Sequence, residues 1–260
     1  MKNHLLELAA QGRPALGTFY ELGGIAAAEC LGIAGLDFMI VDTEHGPYDV
    51  ESALTAITAA SRRDCAPLVR VKDVTRPSVL KMLDVGAKGL IVPDVRSVEE
   101  VRRLVEYAKY YPLGRRGFAP TLASGYGFDR EAADVESYFA LCNRETLLIP
   151  QCETAEALEH IEEIAAMEGV DGIFVGPYDL SVALGKPAQL EDPELLAAIA
   201  HVLDVCKRHG KLTMIFSGSP ENTARCLKQG FDCVACGMDS MFLIQAIQTY
   251  VADVKKRLED

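Results

Sequence analysis

Alternation is what most limits the fold of this chain. Short apolar runs of strand length recur between stretches of helical period, and the pair repeats eight times. The runs are Ala15–Phe19, Asp37–Val41, Pro67–Val71, Gly89–Val92, Leu147–Pro150, Gly172–Val175, Leu212–Phe216 and Cys233–Ala235. Most lack polar alternation, as expected of parallel strands covered on both faces. Between them lie amphipathic segments: Ile25–Ala34, Val50–Arg62, Pro77–Val85, Val98–Lys109, Ala155–Met167, Pro193–His209 and Glu221–Gln229. A longer stretch, Ser240–Leu258, closes the chain. Asp49, Ser97 and Asp192 suit helix N-caps, and Pro77, Pro193 and Pro220 suit first turns. Gly86, Gly169, Gly210 and Gly230 stand where helices should stop. The pattern predicts an α/β fold, a (β/α)8 TIM barrel, as a single domain over residues 1–260. An open doubly wound sheet is the alternative, but no Gly-x-Gly-x-x-Gly or Walker motif follows an early strand. The connection at 110–131, rich in Gly, Tyr and Arg, predicts a loop over the active-site mouth or at a subunit contact.

Charge and hydropathy narrow the function. A formal net charge of −12 and only scattered basic pairs, Arg62-Arg63 and Arg115-Arg116, argue against nucleic acid or an anionic membrane as partner. No stretch approaches the roughly 20 apolar residues of a membrane span, and Glu7 interrupts the N-terminal apolar patch, making it a poor signal peptide. The eight cysteines, most of them inside apolar runs, suit buried thiols in a reducing compartment, so a cytoplasmic location is expected. Cys233 and Cys236, three apart on a predicted strand, should face opposite sides rather than form a redox or zinc pair.

Polar residues at strand ends carry the chemistry, because in a barrel of this kind reactions occur at the carboxyl ends of the strands. Glu153 ends LLIPQCE and Asp179 ends GIFVGPYD, one βα unit apart. Neighbouring strands lie about 4.8 Å apart, so both carboxylates can reach one ion at roughly 2.1 Å. Without cysteine or a histidine cluster, the pair suits a hard divalent cation, Mg²⁺ or Mn²⁺. Read separately, Glu153 would cap a helix and Asp179 a turn. Arg70, in PLVRV, is an edge residue that reaches solvent, a structural ion-pair partner or a guanidinium placed to stabilise an enolate oxygen. His45, in VDTEHGP, is either an exposed loop residue or a base whose tautomer Asp42 fixes. Asp84, at the end of the third amphipathic segment, carries a charge that the helix dipole disfavours, so a compensating partner, in this chain or across a subunit boundary, is expected. Glu44 stays unassigned.

Taken together, the motifs VDTEHGPYD, PLVRV, KMLDVGAKGLIVPDV, YYPLGRRG, PQCET and EGVDGIFVGPYDLS make the chain resemble the HpcH/HpaI aldolase family of metal-dependent pyruvate aldolases over nearly its whole length. The resemblance implies a (β/α)8 barrel that assembles through an exchanged C-terminal helix, commonly as a homohexamer. It implies that Glu153 and Asp179 hold the divalent cation and that His45 is the general base, acting through a metal-bound water. Asp84 from a neighbouring subunit would raise the basicity of that histidine. Arg70 would stabilise the transition state. Gln151, with the backbone amides of Tyr178 and Asp179, would hold the pyruvyl group. Three positions depart from the usual pattern: Thr43 for a glycine, Cys152 for an aliphatic residue and Tyr178 for a small one. The stretch IFSGSP at 215–220 is also atypical.

The expected function is a class II aldolase, a carbon–carbon lyase. It would reversibly cleave a 4-hydroxy-2-oxo acid, either a 2-keto-3-deoxy sugar acid or a hydroxy-oxo diacid, to pyruvate and an aldehyde through a metal-stabilised pyruvate enolate. Three rivals are distinguishable. A Schiff-base aldolase needs a strand-end lysine, for which only Lys72 and Lys211 come near. A CoA-ester lyase needs cations for the CoA phosphates, and only Arg115 and Arg116 offer an obvious cluster. A non-catalytic barrel that binds metal and oxo acid would keep the site and lose the chemistry.

Overall fold

Alternate residues of the strands divide between two apolar layers, and this division explains why the runs lack polar alternation. Phe38, Ile40, Leu68, Ile91, Leu147, Ile149, Phe174 and Met214 pack together inside the barrel. Met39, Val41, Val69, Leu90, Val92, Leu148, Val175 and Ile215 pack outward under the helices. Both faces of every strand are thus removed from water, as a parallel sheet requires.

The computed structural model describes residues 2–259. Eight strands form a closed barrel in chain order, with β8 returning to β1 and each observed pair parallel. They are β1 (Ala15–Tyr20), β2 (Phe38–Asp42), β3 (Ala66–Arg70), β4 (Gly89–Val92), β5 (Leu147–Cys152), β6 (Gly172–Val175), β7 (Leu212–Ser217) and β8 (Cys233–Met238). The predicted runs differ from these only at their ends. Helix α1 (His4–Ala10) precedes the barrel, and α2 (Ile25–Ile33), α3 (Val50–Ser61), α4 (Arg76–Asp84) and α5 (Val98–Ala108) follow β1 to β4. Helix α6 (Val135–Glu145) leads into β5, with α7 (Ala155–Glu159) and α8 (Ile161–Ala166) after it. Then come α9 (Pro177–Ala183) and α10 (Pro193–Arg208) after β6, α11 (Pro220–Gln229) after β7 and α12 (Asp239–Glu259) at the end.

The local signals act as expected. Asp49 caps α3 in a reciprocal arrangement with Ser52, Ser97 caps α5 and Asp192 caps α10. Helix α1 was not anticipated. It places Leu5 and Leu8 against the interior cluster and closes the amino-terminal end of the barrel. Asn3 fixes it there by donating to the carbonyls of Lys88 and Glu145 at 2.9 and 2.8 Å. Cys233 packs in the interior cluster and Cys236 against the outer one, on opposite faces of β8.

The segment at 110–131 corrects one expectation. It follows a helix and leads, through α6, into the start of β5, so it lies at the amino-terminal end of the barrel, away from the mouth of its own chain. It is also partly ordered, with 3₁₀ turns at Leu122–Gly127 and Arg130–Ala133. Tyr110, Phe118, Tyr138 and Phe139 pack ring against ring around it. Among the described residues no helix is long and apolar enough to cross a membrane.

Candidate active site

The interior face of the barrel turns polar in its last layer. Two residues beyond Ile40, Leu68 and Ile149 on the same face stand Asp42, Arg70 and Gln151, and Glu153 follows Gln151. In the register of the sheet Asp42 pairs directly with Arg70, and Gln151 with Phe174.

Arg70 donates Nε to Asp42 Oδ1 at 2.9 Å and Nη2 to Oδ2 at 2.6 Å, a two-pronged contact that fixes the guanidinium plane. Glu44 approaches Nε at 3.2 Å, and the guanidinium lies 4.7 Å from the centre of the Phe19 ring. Thr43 ties the ends of the two strands together, its hydroxyl donating to the Arg70 carbonyl at 2.7 Å. Gly46 allows the chain to turn back here, since a Cβ at that position would meet the Asp42 carbonyl oxygen at 2.2 Å.

Glu153 is only 7% exposed. One oxygen accepts from the Asp94 N–H at 2.8 Å, and the other accepts from Gln151 Nε2. Burial pushes its carboxyl up to about 7 against the pull of the Asp94 N–H, and the charges of Asp179 and Glu44 raise it further. Burial also raises Glu44, against the pull of Arg70 and His45 and with Asp42 and Asp179 adding to the effect. Gly176 leaves room for this cluster: a Cβ there would meet Glu153 Oε2 at 2.8 Å and Gln151 Nε2 at 2.9 Å.

Asp42, Glu44 and Glu153 all lie in the field of the Arg70 guanidinium, and Asp179 adds a further negative charge beside Glu44 and Glu153. Among the described residues the buried Gln151 Oε1 has no hydrogen-bond partner. A buried carboxylate with two further acids in its field, beside an orphaned acceptor, fits a divalent cation with its water shell. Among the described residues no three His, Cys, Asp or Glu side chains cluster closely enough to cage a metal by themselves. The pair Glu153 and Asp179 would instead hold an ion that shares its remaining positions with water and substrate.

Of the other expected residues, Tyr178 lies in the first turn of α9, half exposed, with its ring 5.9 Å from that of Phe216. His45 sits at the mouth, 72% exposed, with Nε2 3.8 Å from Glu44 Oε2. The expectation that Asp42 fixes the His45 ring does not hold. The Asp42 carboxylate is consumed by Arg70 and by the backbone N–H groups of Glu44 and His45, at 3.1 and 3.4 Å. Asp84 ends α4 at the opposite end of the barrel, because α4 runs from the top of β3 to the bottom of β4. Its compensating partner is Arg116, whose Nη2 donates to it at 2.8 Å from a buried position. Within one chain Asp84 therefore does not meet His45.

Two cavities of about 450 and 460 Å³ open on this layer, and both are lined by His45, Arg70 and Asp179. The polar one adds Glu44, Asp94, Arg96 and Glu153; the other adds Glu21 and mostly apolar side chains. Asp94, Arg96 and Glu21 were missed as site residues. The signal for Asp94 and Glu21 was the one that picked out Glu153, an acid just beyond an apolar strand, and Asp94 also stands at a φ of 49°.

A family model described as HpcH/HpaI aldolase/citrate lyase matches residues 16–246. A protein of Rhizobium etli named pyruvate aldolase is 35% identical over 251 residues, covering 96% of both chains. A protein of Escherichia coli named 4-hydroxy-2-oxo-heptane-1,7-dioate aldolase is 32% identical over 252 residues, covering 97% of this chain and 95% of its own. Among solved structures, the citrate synthase SbnG superposes with a TM-score of 0.86 at 29% identity, covering 98% of each chain.

Proposed function

The chain belongs to the HpcH/HpaI aldolase/citrate lyase family, and from that premise we propose that it is a class II aldolase dependent on Mg²⁺ or Mn²⁺. It reversibly cleaves a 4-hydroxy-2-oxo acid to pyruvate and an aldehyde. The observation that carries this reading is the buried Glu153, beside the orphaned acceptor of Gln151 and within the field of Asp179, with an immobilised Arg70 in the same layer. Both substrate groups expected from the sequence, keto-deoxy sugar acids and hydroxy-oxo diacids, share this 2-oxo acid head.

Glu153 and Asp179 would hold the cation. When bound, it supplies a Lewis acid for the 2-oxo acid oxygens. Gln151 and the backbone N–H groups of Tyr178 and Asp179 orient the pyruvyl head. His45, acting through a water, accepts the proton of the C4 hydroxyl. The C3–C4 bond then breaks, the aldehyde carbonyl forms, and the bonding pair passes into the enolate of pyruvate. Arg70 meets the charge on that oxygen, with its plane already set by Asp42, so little reorganisation is needed. A proton returned to C3 completes pyruvate. Asp84 of a neighbouring subunit would raise the basicity of His45.

The rivals fit less well. Among the described residues neither cavity has a lysine in its wall: Lys72 lines a separate cavity with Thr43 and Tyr48, and Lys211 donates to the carbonyls of Met167 and Val170 below β7. Arg116 is buried against Asp84 at the far end of the barrel and cannot receive CoA phosphates at the mouth. A non-catalytic barrel would bind pyruvate and Mn²⁺ without turning over. The test is to incubate enzyme with pyruvate, an aldehyde panel and Mn²⁺ or Mg²⁺ while following carbon–carbon bond formation. EDTA should abolish the reaction, and borohydride with pyruvate should trap no adduct; a trapped adduct with EDTA-resistant turnover would overturn the metal reading.

A further inference from the structure

Resting on the aldolase reading, we infer that the aldehyde partner of this enzyme is uncharged and apolar, an aromatic or branched aliphatic aldehyde. The cavity of about 450 Å³ beside Arg70 and Asp179 is walled by Phe19, Phe174, Tyr178, Phe216, Met238 and Met241. The rings interlock: Phe19 meets Phe174 edge-on at 6.2 Å and Phe216 at 6.0 Å, and Phe216 meets Tyr178 at 5.9 Å. Aromatic rings and unbranched methionines offer an apolar wall suited to another ring or a branched alkyl group. Tyr178 and Phe216 both fall where the sequence departs from the pattern of the family it resembles.

Charge argues the same way. Apart from Arg70, committed to Asp42 and stacked over Phe19, and the mouth histidine His45, the ionisable side chains of this cavity are Glu21, Asp179 and the phenol of Tyr178. A carboxylate carried on the aldehyde would face Glu21, while Arg70, held by Asp42, is taken up by the enolate oxygen. Arg96, the additional cation of the polar cavity, is engaged by Asp94 at 2.7 Å and Glu156 at 3.5 Å. The condensation is balanced as an aldol addition: C3 of the pyruvate enolate bonds to the aldehyde carbon, and the carbonyl oxygen takes up the proton.

The test compares kcat/KM for benzaldehyde, 3-methylbutanal and succinic semialdehyde with pyruvate and Mn²⁺. Benzaldehyde or 3-methylbutanal should exceed the semialdehyde by about tenfold or more, the span that an apolar pocket gives. Phe216→Ala should lower kcat/KM for benzaldehyde by about tenfold or more and for acetaldehyde by about threefold or less; Phe216→Leu provides the comparison if the alanine variant does not fold, with a smaller loss in the same order. A preference for the semialdehyde, or equal losses for both aldehydes, overturns the inference. Exchange of pyruvate methyl protons with D₂O, which needs no aldehyde, separates the two failures. Exchange together with semialdehyde preference sinks only this inference, whereas no exchange and no condensation sinks the aldolase reading beneath it.

Discussion

Asp42 and Arg70 stand opposite each other in the register of β2 and β3, and the carboxylate receives Nε and Nη2 of the guanidinium at 2.9 and 2.6 Å. The carboxylate is fully buried, so each charge depends on the other. The pair sets the plane of Arg70 before any substrate arrives. Arg70→Ala should lower kcat by on the order of 10² or more, since one oxyanion donor is worth roughly 3 kcal/mol. Arg70→Lys should recover little, because an ammonium cannot span both carboxylate oxygens. A steady-state assay settles it: near-normal kcat in Arg70→Ala removes Arg70 from the chemistry, and near-normal kcat in Arg70→Lys shows that a cation without the two-pronged contact suffices.

Removing Asp42 tests the same pair from the other side. Asp42→Ala leaves a largely buried guanidinium with Glu44 as its remaining acid at 3.2 Å. Breaking a buried pair by deleting one partner costs about 3–5 kcal/mol, and the proximity of Glu44 should bring the loss to the low end of that range. Urea unfolding of the purified variant reads the effect. A loss below about 1 kcal/mol, the size of an exposed pair, would mean that the contact is solvent-screened.

Glu153 gives a pH signature to the metal-free protein. The folded chain keeps this proton up to about 7, while an unfolded glutamate releases it near 4.5. Between those values the folded state binds more protons, so its stability falls as pH rises through the window and levels off above it. A shift of that size corresponds to about 3 kcal/mol. After EDTA treatment the wild type should lose stability from pH 5 to pH 8 relative to Glu153→Gln, and Mn²⁺ should restore it at pH 8. Parallel profiles for the two proteins would show that Glu153 is already compensated.

The barrel was legible in the chain because its strands are apolar on both faces and its helices carry their own caps and stops. The ends of the apolar runs located Arg70 and Glu153, whereas Gln151 came only from the family resemblance. What the chain did not reveal were the partners. Asp42 is close to His45 in sequence, but the pleat directs its carboxylate to Arg70, and proximity along a loop says nothing about that choice. The length and composition of the 110–131 segment suggested a loop over the mouth or at a subunit contact. Its place between a helix and the next strand puts it at the other end of the barrel. Helix α1 is too short for periodicity to reveal; only its burial under the barrel explains it.

Asp84 and His45 lie at opposite ends of one barrel, so any coupling between them must come from a second chain. This predicts complementation. Asp84→Asn and His45→Ala should each be weakly active alone. Mixed and reassembled, they should recover activity, because a hybrid interface joins an intact His45 to an intact Asp84. Asp84→Asn keeps an acceptor for Arg116, which limits loss of fold. Mixed oligomers no more active than their parents would restrict Asp84 to its pairing with Arg116.

Helix α12 leaves the barrel after Asp239, its only buried residue among those described. Phe242, Leu243, Ile244, Ile247, Tyr250 and Val251 remain exposed along it. Burying such side chains fully is worth about 1.5–3 kcal/mol each, enough to hold subunits together if the helix is exchanged between them. A chain ending at residue 240 should therefore elute as a monomer with its barrel folded by circular dichroism. Because Asp84 would then have no neighbouring site to enter, the same truncation should silence turnover while leaving Mn²⁺ binding, measured by calorimetry, in place. A truncated chain that keeps both its oligomer and its rate would show that α12 does not carry the assembly.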